Sequence, residues 1–342
     1  MRRFHSSLEA AQHGDKNLQQ LVAFASGAGF AGVQPSNYHL QKPDGTLMTV
    51  AEVQSHFDTK LRLDGISAHC IFWVHTTAWT GSKTIRPFIP PEIAKKSPGK
   101  IEEWAEGYIF QLLELAHGLK IKVIPMFWGV AFGWELATGY PWGFFSGGDY
   151  DLVMEGQERF VEKTEEIRTR AHSLGISLAH EIHPGTAASC ADDFLMLRKI
   201  CNSDPTLGVN ADPSHCWEGE GWEDRFTKVG PYITGCHVKD HIVRPGLPLR
   251  SMQSNWKERA MQFCRLGDGR IDLVRYSQLM DDVGYTKRYR DAHGTETAPL
   301  VGEAESPYYV LDEVSTAASD FIRNRLCGDF TKSSFEDGMG AK

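Results

Sequence analysis

Four short segments of this chain share one arrangement, in which an apolar or small run turns polar at its C-terminal end. They are LAHEIHPG, GVNADPSH, TGCHVKD and PLVGEAES, and the metal-type ligands near their ends are Glu181, Asp212, His237 and Glu303. A buried parallel strand has this pattern when its tip opens into an active site. Three carboxylates and one imidazole suit a hard or borderline divalent cation. The pattern therefore constrains the fold and the chemistry together.

Strand-like and helix-like segments alternate along the rest of the chain. Strand candidates around 3–6, 30–38, 61–73 and 121–130 precede the four segments, and the periodic stretches 101–120 and 158–175 predict amphipathic helices. Roughly eight strands joined by right-handed crossovers build a closed barrel or an open doubly wound sheet. An open sheet binds its ligand at one switch point, whereas four strands contribute polar tips here. We therefore expect an α/β protein that is a closed (β/α)8 TIM barrel.

Length and composition narrow the class of protein. The 342 residues fit a single barrel domain over 1–327 with a flexible tail over 328–342. The N-terminus lacks the apolar stretch of a signal peptide, and no run is long enough to span a membrane, which predicts a cytoplasmic protein. The net charge of −8 gives no reason to expect nucleic acid or membrane as partner. Seven cysteines without a CxxC pair argue against a disulfide framework and a thiolate zinc site.

Each of the first three segments has a structural alternative when it is taken singly. Glu181 can belong to an ion pair, Asp212 can form an Asx-turn, and His237 can be held by ordinary hydrogen bonds. His183 shares a strand face with Glu181 if the strand continues that far, and His215 lies three residues after Asp212. The spacings of 31 residues from Glu181 to Asp212 and 25 from Asp212 to His237 are each about one βα unit, and the 66 residues to Glu303 fit one unit plus the insertion at 241–265, a regularity that argues against chance.

The last two segments leave further choices open. Asp240 is expected to support His237 or to bind a substrate hydroxyl, and Lys239 fits the solvent-facing side of its strand. Glu303 and Glu305 alternate onto one face of the strand, so either can be the last ligand.

The segments EIHPG, NADPSH, HVKD, GDGRID at 267–272 and GEAES resemble, in this order, the motifs of the sugar phosphate isomerase/epimerase family. These xylose-isomerase-like TIM barrels include ketose 3-epimerases, hydroxypyruvate isomerase and inosose dehydratase. The resemblance covers about residues 1–327 and is specific in the C-terminal half. It implies that Glu181, Asp212, His237 and Glu303 bind a divalent metal, Mn²⁺ first and Mg²⁺ or Co²⁺ as alternatives. It also implies that His215 touches the substrate beside the metal.

Three segments, 75–100, 130–150 and 241–265, are too long for simple loops. Each follows a predicted strand, so we expect extended loops on the catalytic face, serving as a lid, a substrate wall or a contact with another chain. The expected substrate-binding side chains are His69, Trp134, Trp142, His183 and Asp240. The expected partners are a small carbohydrate substrate and a second copy of the chain or another subunit.

The expected reaction is proton abstraction next to the carbonyl of a sugar or keto-sugar, through a metal-stabilised enediolate. Glu181 and Glu303 would exchange the proton on opposite faces, with His215 beside them. Return of the proton makes an isomerase or epimerase. The alternative is a lyase, either a dehydratase or a 3-oxo-glycoside-cleaving enzyme, because the long segments exceed what a free ketose needs. A metal-dependent endonuclease conflicts with the negative charge, and a non-catalytic carbohydrate-binding barrel leaves four ligands idle.

Overall fold

The computed structural model describes residues 3–57, 60–78, 83–129, 152–217, 219–247, 259–305 and 309–327. Parallel strands alternate with helices along these ranges. In chain order the strands are β1 Phe4–Glu9, β2 Gly32–Gln34, β3 Arg62–Leu63, β4 Val123–Met126, β5 Ser177–Glu181, β6 Leu207–Ala211, β7 Ile233–Val238, β8 Asp240–Val243, β9 Met261–Cys264 and β10 Ala298–Gly302. Segment 130–150, with Trp134 and Trp142, and the tail 328–342 lie outside the described residues.

Eight of these strands form one curled parallel sheet in the order β3-β2-β1-β10-β7-β6-β5-β4. Each strand pairs with its neighbours in parallel register, for example Leu8 with Gly302 and Glu181 with Asn210. Just beyond β3, the Ala68 N–H donates to the Pro125 carbonyl of β4 at 2.9 Å. The predicted TIM barrel fold is confirmed, and its strand tips face one end.

Helices follow most of the strands and cover the outer side of the sheet. They are α1 Leu18–Gly27, α2 Val50–Gln54, α3 His69–Thr77, α4 Pro98–Gly118, α5 Leu152–Leu174, α6 Ala191–Ile200, α7 Trp222–Lys228, α8 Leu273–Asp282, α9 Tyr285–His293 and α10 Leu311–Phe321. Short 3₁₀ turns lie at Asn37–Leu40, Lys83–Phe88, Pro213–His215 and Gly230–Tyr232. None of the described helices has the length and apolar character that crossing a membrane requires.

The core lies between the sheet and the helices, and one aromatic group in it fixes the helix that carries His69. Buried Trp128 contacts Phe72 of α3 edge-on at 4.9 Å between ring centroids, and it contacts Phe160 of α5 at 5.7 Å. Edge-to-face packing of this kind adds about 0.5–1.5 kcal/mol per pair beyond the burial of area. This packing fixes the position of α3, and therefore also that of His69, the first residue of the helix.

Two elements differ from the sequence-based expectation. The third strand is only two residues long, and the run expected to continue it begins α3 at His69. A short apolar run that buries Ile71, Phe72 and Val74 cannot be distinguished from a strand by periodicity alone. The segment 241–265 is not one long loop, because its ends form the antiparallel hairpin β8–β9 in the register Asp240 to Cys264. Only Lys239 separates β7 from β8, and without a turn residue between the strands the sequence did not indicate this boundary.

Candidate metal centre

The four predicted ligands converge at the C-terminal end of the sheet. Glu181 ends β5, Asp212 follows β6, His237 lies in β7 and Glu303 follows β10. One ligand atom from each lies within 4.8 Å of those of the other three. His237 Nδ1 is 3.3 Å from both Glu181 Oε2 and Glu303 Oε2. The structure thus brings together residues that are up to 122 positions apart in the sequence.

Asp212 owes its orientation to the chain that follows it. Pro213 begins a 3₁₀ turn, and the Asp212 Oδ1 atom caps that turn by accepting the Ser214 N–H at 2.8 Å. A proline cannot extend the parallel ladder, so the strand stops at the barrel end. The second oxygen, Oδ2, stays directed at the cluster, 3.3 Å from His215 Nε2.

Several buried atoms in the centre have no well-aligned hydrogen-bond partner among the described residues. They include Asp212 Oδ2, His215 Nε2 and His69 Nε2, although His215 Nε2 lies only 3.1 Å from Glu181 Oε1 and His69 Nε2 only 3.2 Å from Glu181 Oε2. Each buried atom left unpaired costs about 1–3 kcal/mol. Asp212 Oδ2 converges with ligand atoms of Glu181, His237 and Glu303, and this set fits a divalent cation, which would satisfy it.

The carboxylates of the centre are held ionised. Burial alone would raise the pKa of Glu181, but His69, together with the close contacts of His215 and His237, outweighs burial and holds it well below its usual range. Burial would likewise raise the pKa of Asp212, and the charges of Lys239 and His215 keep it below its ordinary value. Ionised carboxylates are the form that binds a cation.

The same contacts raise the pKa values of two histidines of the centre, His237 and His215. Burial would lower the pKa of His237, yet its contacts with Glu181 and Glu303 raise it to about 10. Burial would also lower the pKa of His215, and Asp212 raises it to about 9. A cation that binds through His237 therefore displaces a proton from its ring.

Two amide side chains orient the ligands, and the sequence interpretation missed both. Gln34, the last residue of β2, offers its Oε1 atom to His237 Nε2 at 3.2 Å. This bond turns the other ring nitrogen, Nδ1, toward the carboxylates. Asn210 donates its Nδ2–H to Glu181 Oε2 at 2.8 Å. Outer hydrogen bonds of this kind fix the orientation of metal-ligating side chains.

Lys239 is not on the solvent-facing side, and the expectation for it was wrong. Its side chain is buried, and its Nζ atom lies 2.7 Å from Glu303 Oε1, 3.5 Å from Asp212 Oδ2 and 3.3 Å from Glu305 Oε2. The two-residue period of a strand could have shown this, because Lys239 follows the inward-facing His237 by two positions. Burial would lower the pKa of Lys239, but the three carboxylates raise it well above its usual value.

Replacing Lys239 by methionine is expected to tighten cation binding by at least about tenfold, because its ammonium competes with the cation for the oxygens of Glu303 and Asp212. Calorimetric titration with Mn²⁺ at fixed pH and salt would measure the affinity. Lys228→Met is the control, since Lys228 pairs with Asp192 at the surface. Weaker binding in Lys239→Met alone would show that the lysine organises the ligands instead of competing for them.

The other histidines expected at the site are close to it. His69 lies against Glu181, with its ring 5.8 Å from that of His237, and it forms a second group of metal-type residues with these two. The His183 ring is 4.0 Å from that of His215. Burial, followed by the charge of His215, lowers the pKa of His183 to about 3, so its ring is neutral. Because its Nδ1–H donates to the Pro184 carbonyl at 2.6 Å, its Nε2 is an acceptor.

Asp240 has a different place from the one expected. Its carboxylate accepts backbone N–H groups of His241, Gly267, Gly269 and Ile271 at 2.8–3.3 Å. These bonds use both oxygens to hold the GDGRID loop against the start of β8. We therefore correct the assignment of Asp240 from substrate binding or support of His237 to the anchoring of this loop.

Two further glutamates complete the surroundings. Glu305 is more exposed than Glu303, and only Glu303 belongs to the group of metal-type ligands in the described residues. Glu9, the last residue of β1, is buried with one oxygen on the Ala11 N–H at 2.8 Å and the other without a partner in the described chain. Burial, followed by the charge of Glu303, raises its pKa to about 7. Nothing in the SLEAA context distinguishes Glu9 from a surface residue.

The sequence matches a family model described as xylose isomerase-like TIM barrel over residues 22–289. This match confirms the resemblance drawn from the five motifs. No curated protein matches the chain.

Solved structures with the same fold cover nearly the whole chain. The probable 3-DHS dehydratase AsbF of petrobactin synthesis from Bacillus anthracis has a TM-score of 0.59 at 18% identity, covering 94% of this chain and 100% of its own. A D-allulose 3-epimerase from Methylomonas sp. reaches 0.59 at 14%, covering 95% and 99%. A xylose isomerase-like TIM barrel protein from Mycobacterium smegmatis, in complex with magnesium, reaches 0.59 at 16%, covering 95% and 97%. At such identities the likeness shows the fold alone.

Proposed function

Because this chain belongs to the xylose isomerase-like TIM barrel family, we propose that it is a divalent-metal-dependent isomerase or epimerase of a sugar or keto-sugar. The observation that carries the proposal is the convergence of Glu181, Asp212, His237 and Glu303 within 4.8 Å. The most suitable cation is Mn²⁺, with Mg²⁺ or Co²⁺ as alternatives. Among the similar solved structures, a 3-epimerase supports the proposed reaction and a protein with bound magnesium supports a divalent cation.

The chemistry that we propose is the removal of a proton from the carbon next to a carbonyl. A bound divalent cation would act as a Lewis acid and stabilise negative charge on the substrate oxygen. Glu181 and Glu303 come from strands that are separated by β6 and β7 in the sheet. Their carboxylates can therefore reach a bound sugar from different sides, one to take a proton and the other to return it.

The surrounding side chains prepare these two carboxylates for proton transfer. Asn210 holds Glu181, and Lys239 holds Glu303 through a contact of 2.7 Å. Burial would raise the pKa of Glu303, and the charges of Lys239 and His237 lower it, so the carboxylate is ionised and can accept a proton. His183, whose ring is neutral, offers an acceptor for a substrate hydroxyl, and the His215 ring lies beside it with 4.0 Å between the ring centroids.

The alternative proposal is a lyase on a keto-sugar, either a dehydratase or a 3-oxo-glycoside-cleaving enzyme. Elimination begins with the same proton removal, and it differs only when a group leaves before the proton returns. The similar fold of a probable dehydratase supports this alternative.

Solvent exchange tests the shared step. The Mn²⁺-loaded protein is incubated in D₂O with free ketoses and keto-sugars, and products are followed by NMR. We expect deuterium at the carbon next to the carbonyl, with an epimer or isomer as product, and we expect EDTA to stop both. An unsaturated product with a released group would select the lyase. Turnover that carries no deuterium and continues in EDTA would contradict both proposals.

A further inference from the structure

A cleft opens beside the metal centre, on the side of strands β1 to β3. It has a volume of about 640 Å³, within the range of ligand pockets. Its walls come from the turn Asn37–Leu40, the start of α3, the turn Lys83–Phe88 and one face of α4. His69 belongs to both places, since it lines the cleft and its Nε2 atom lies 3.2 Å from Glu181 Oε2. A molecule bound at the centre can therefore extend into the cleft.

The walls of this cleft are mainly aromatic. Tyr38, Phe88, Trp104 and Tyr108 line it, and the rings of Trp104 and Tyr108 are 5.7 Å apart. Phe88 is 48% exposed, so its ring is accessible to a bound molecule. Aromatic side chains in such a position offer faces and edges to a further ring.

Three of the polar side chains that line the cleft, Asn37, Gln41 and Tyr108, are engaged with one another, and Tyr38 is engaged with the backbone. Gln41 and Asn37 donate their side-chain amides to the Tyr108 hydroxyl at 2.8 and 3.3 Å. The Tyr38 hydroxyl is held by the carbonyls of Ala10 and Ala11 at 3.1 and 2.6 Å. A second sugar ring would bring several hydroxyls that lose water with few free partners here, which is costly. An aromatic ring forms few hydrogen bonds with water, so its transfer from water into the cleft costs little.

We propose that this cleft binds an aromatic ring joined to the reacting sugar, so that the substrate is the keto derivative of an aryl glycoside. The inference rests on the proposed function of the metal centre and deepens it by naming the substrate class. A small free ketose would occupy the centre and leave the cleft empty.

Glycosides without a keto group test the inference by binding alone, because they lack the carbonyl that the reaction needs. The full chain, loaded with Mn²⁺, is titrated calorimetrically with phenyl β-D-glucoside, methyl β-D-glucoside and cellobiose. We expect the phenyl compound to bind at least about tenfold more tightly than either of the others, because burial of the ring's apolar area adds to the aromatic contacts. Equal affinities, tighter binding of cellobiose, or no binding of the phenyl compound would overturn the inference.

Variants locate the effect in the cleft. Phe88→Ala and Trp104→Ala should each remove the preference for the phenyl compound and leave the affinity for the methyl compound unchanged. Phe88 is exposed, so its loss does not endanger the fold. Phe110→Ala is the matched control. Phe110 lies on α4, as Trp104 does, but it lines a different cavity, with Glu165 and Arg170. A preference that survives in both cleft variants would contradict the assignment.

The two proposals fail separately in these experiments. If the phenyl preference is present but no deuterium enters any keto-sugar, the keto derivative of phenyl β-D-glucoside included, the cleft assignment stands and the proposed reaction falls. If deuterium exchange is found and the phenyl preference is absent, only the substrate class is overturned.

Discussion

Replacing Asp212 by alanine is expected to abolish cation binding and to lower activity by at least about a thousandfold, since a Lewis-acid cation contributes several kcal/mol of charge stabilisation. The Asp212 side chain is buried, and its Oδ2 atom is directed at the other ligands. The barrel should still fold, because a residue at a strand tip makes few core contacts. Elemental analysis would give the metal content, and thermal melts with and without Mn²⁺ would report binding independently of activity.

Asp272→Ala is the matched control for this variant. Asp272 also caps the start of a helical segment, where it accepts the Arg275 N–H at 2.9 Å, and it is not part of the metal group. Its loss should cost about 1 kcal/mol of stability and leave the metal content unchanged. An Asp212→Ala protein that still binds Mn²⁺ with wild-type affinity would show that this residue is no ligand.

Replacing Glu303 by glutamine is expected to lower kcat by at least about a hundredfold while the fold and part of the metal affinity are kept. The amide has the size of the carboxylate, and its oxygen can still accept the Lys239 N–H, but it cannot take up a proton. Rates are measured at saturating Mn²⁺, together with the entry of deuterium from D₂O. The metal content of each sample separates a lost base from a lost ligand.

Glu305→Gln provides the comparison for Glu303→Gln. Glu305 also lies near Lys239, at 3.3 Å, but its side chain is 34% exposed and outside the metal group. We expect its rate to stay within a few-fold of wild type. Near-normal activity in Glu303→Gln, together with a product free of deuterium, would eliminate proton transfer by this residue and leave a hydride shift or a hydrolytic reaction.

The ligands could be predicted from the sequence because a strand tip combines two strong local signals. An apolar run fixes the strand, and a carboxylate or imidazole at its end is too costly to bury without a partner. Asp212 and His237 stand out in this way within GVNADPSH and TGCHVKD. The buried position of Lys239 could have been predicted, because side chains two residues apart on a strand share a face and His237 faces inward. It was missed because a lysine is usually solvent-exposed.

Other parts of the site depend on long-range pairing that no local pattern shows. Gln34 ends β2 and His237 lies in β7, and β1 and β10 separate these strands in the sheet. The two side chains meet because the curled sheet brings the strand ends together. The role of Asp240 was predicted wrongly because three of the four N–H groups that bind its carboxylate come from a loop that begins 27 residues later. Glu9 closes a strand whose sequence, FHSSLE, lacks a continuous apolar run. In each case the partner is set by tertiary structure.

The most direct test of the proposed metal centre is the metal content of the purified wild-type protein. Elemental analysis should find about one Mn²⁺, Co²⁺ or Mg²⁺ per chain, as one set of four converging ligands requires. EDTA should remove the ion and the activity together, and Mn²⁺ should restore both. Protein that contains no divalent cation, binds none in a calorimetric titration and is equally active in EDTA would contradict the proposed metal centre.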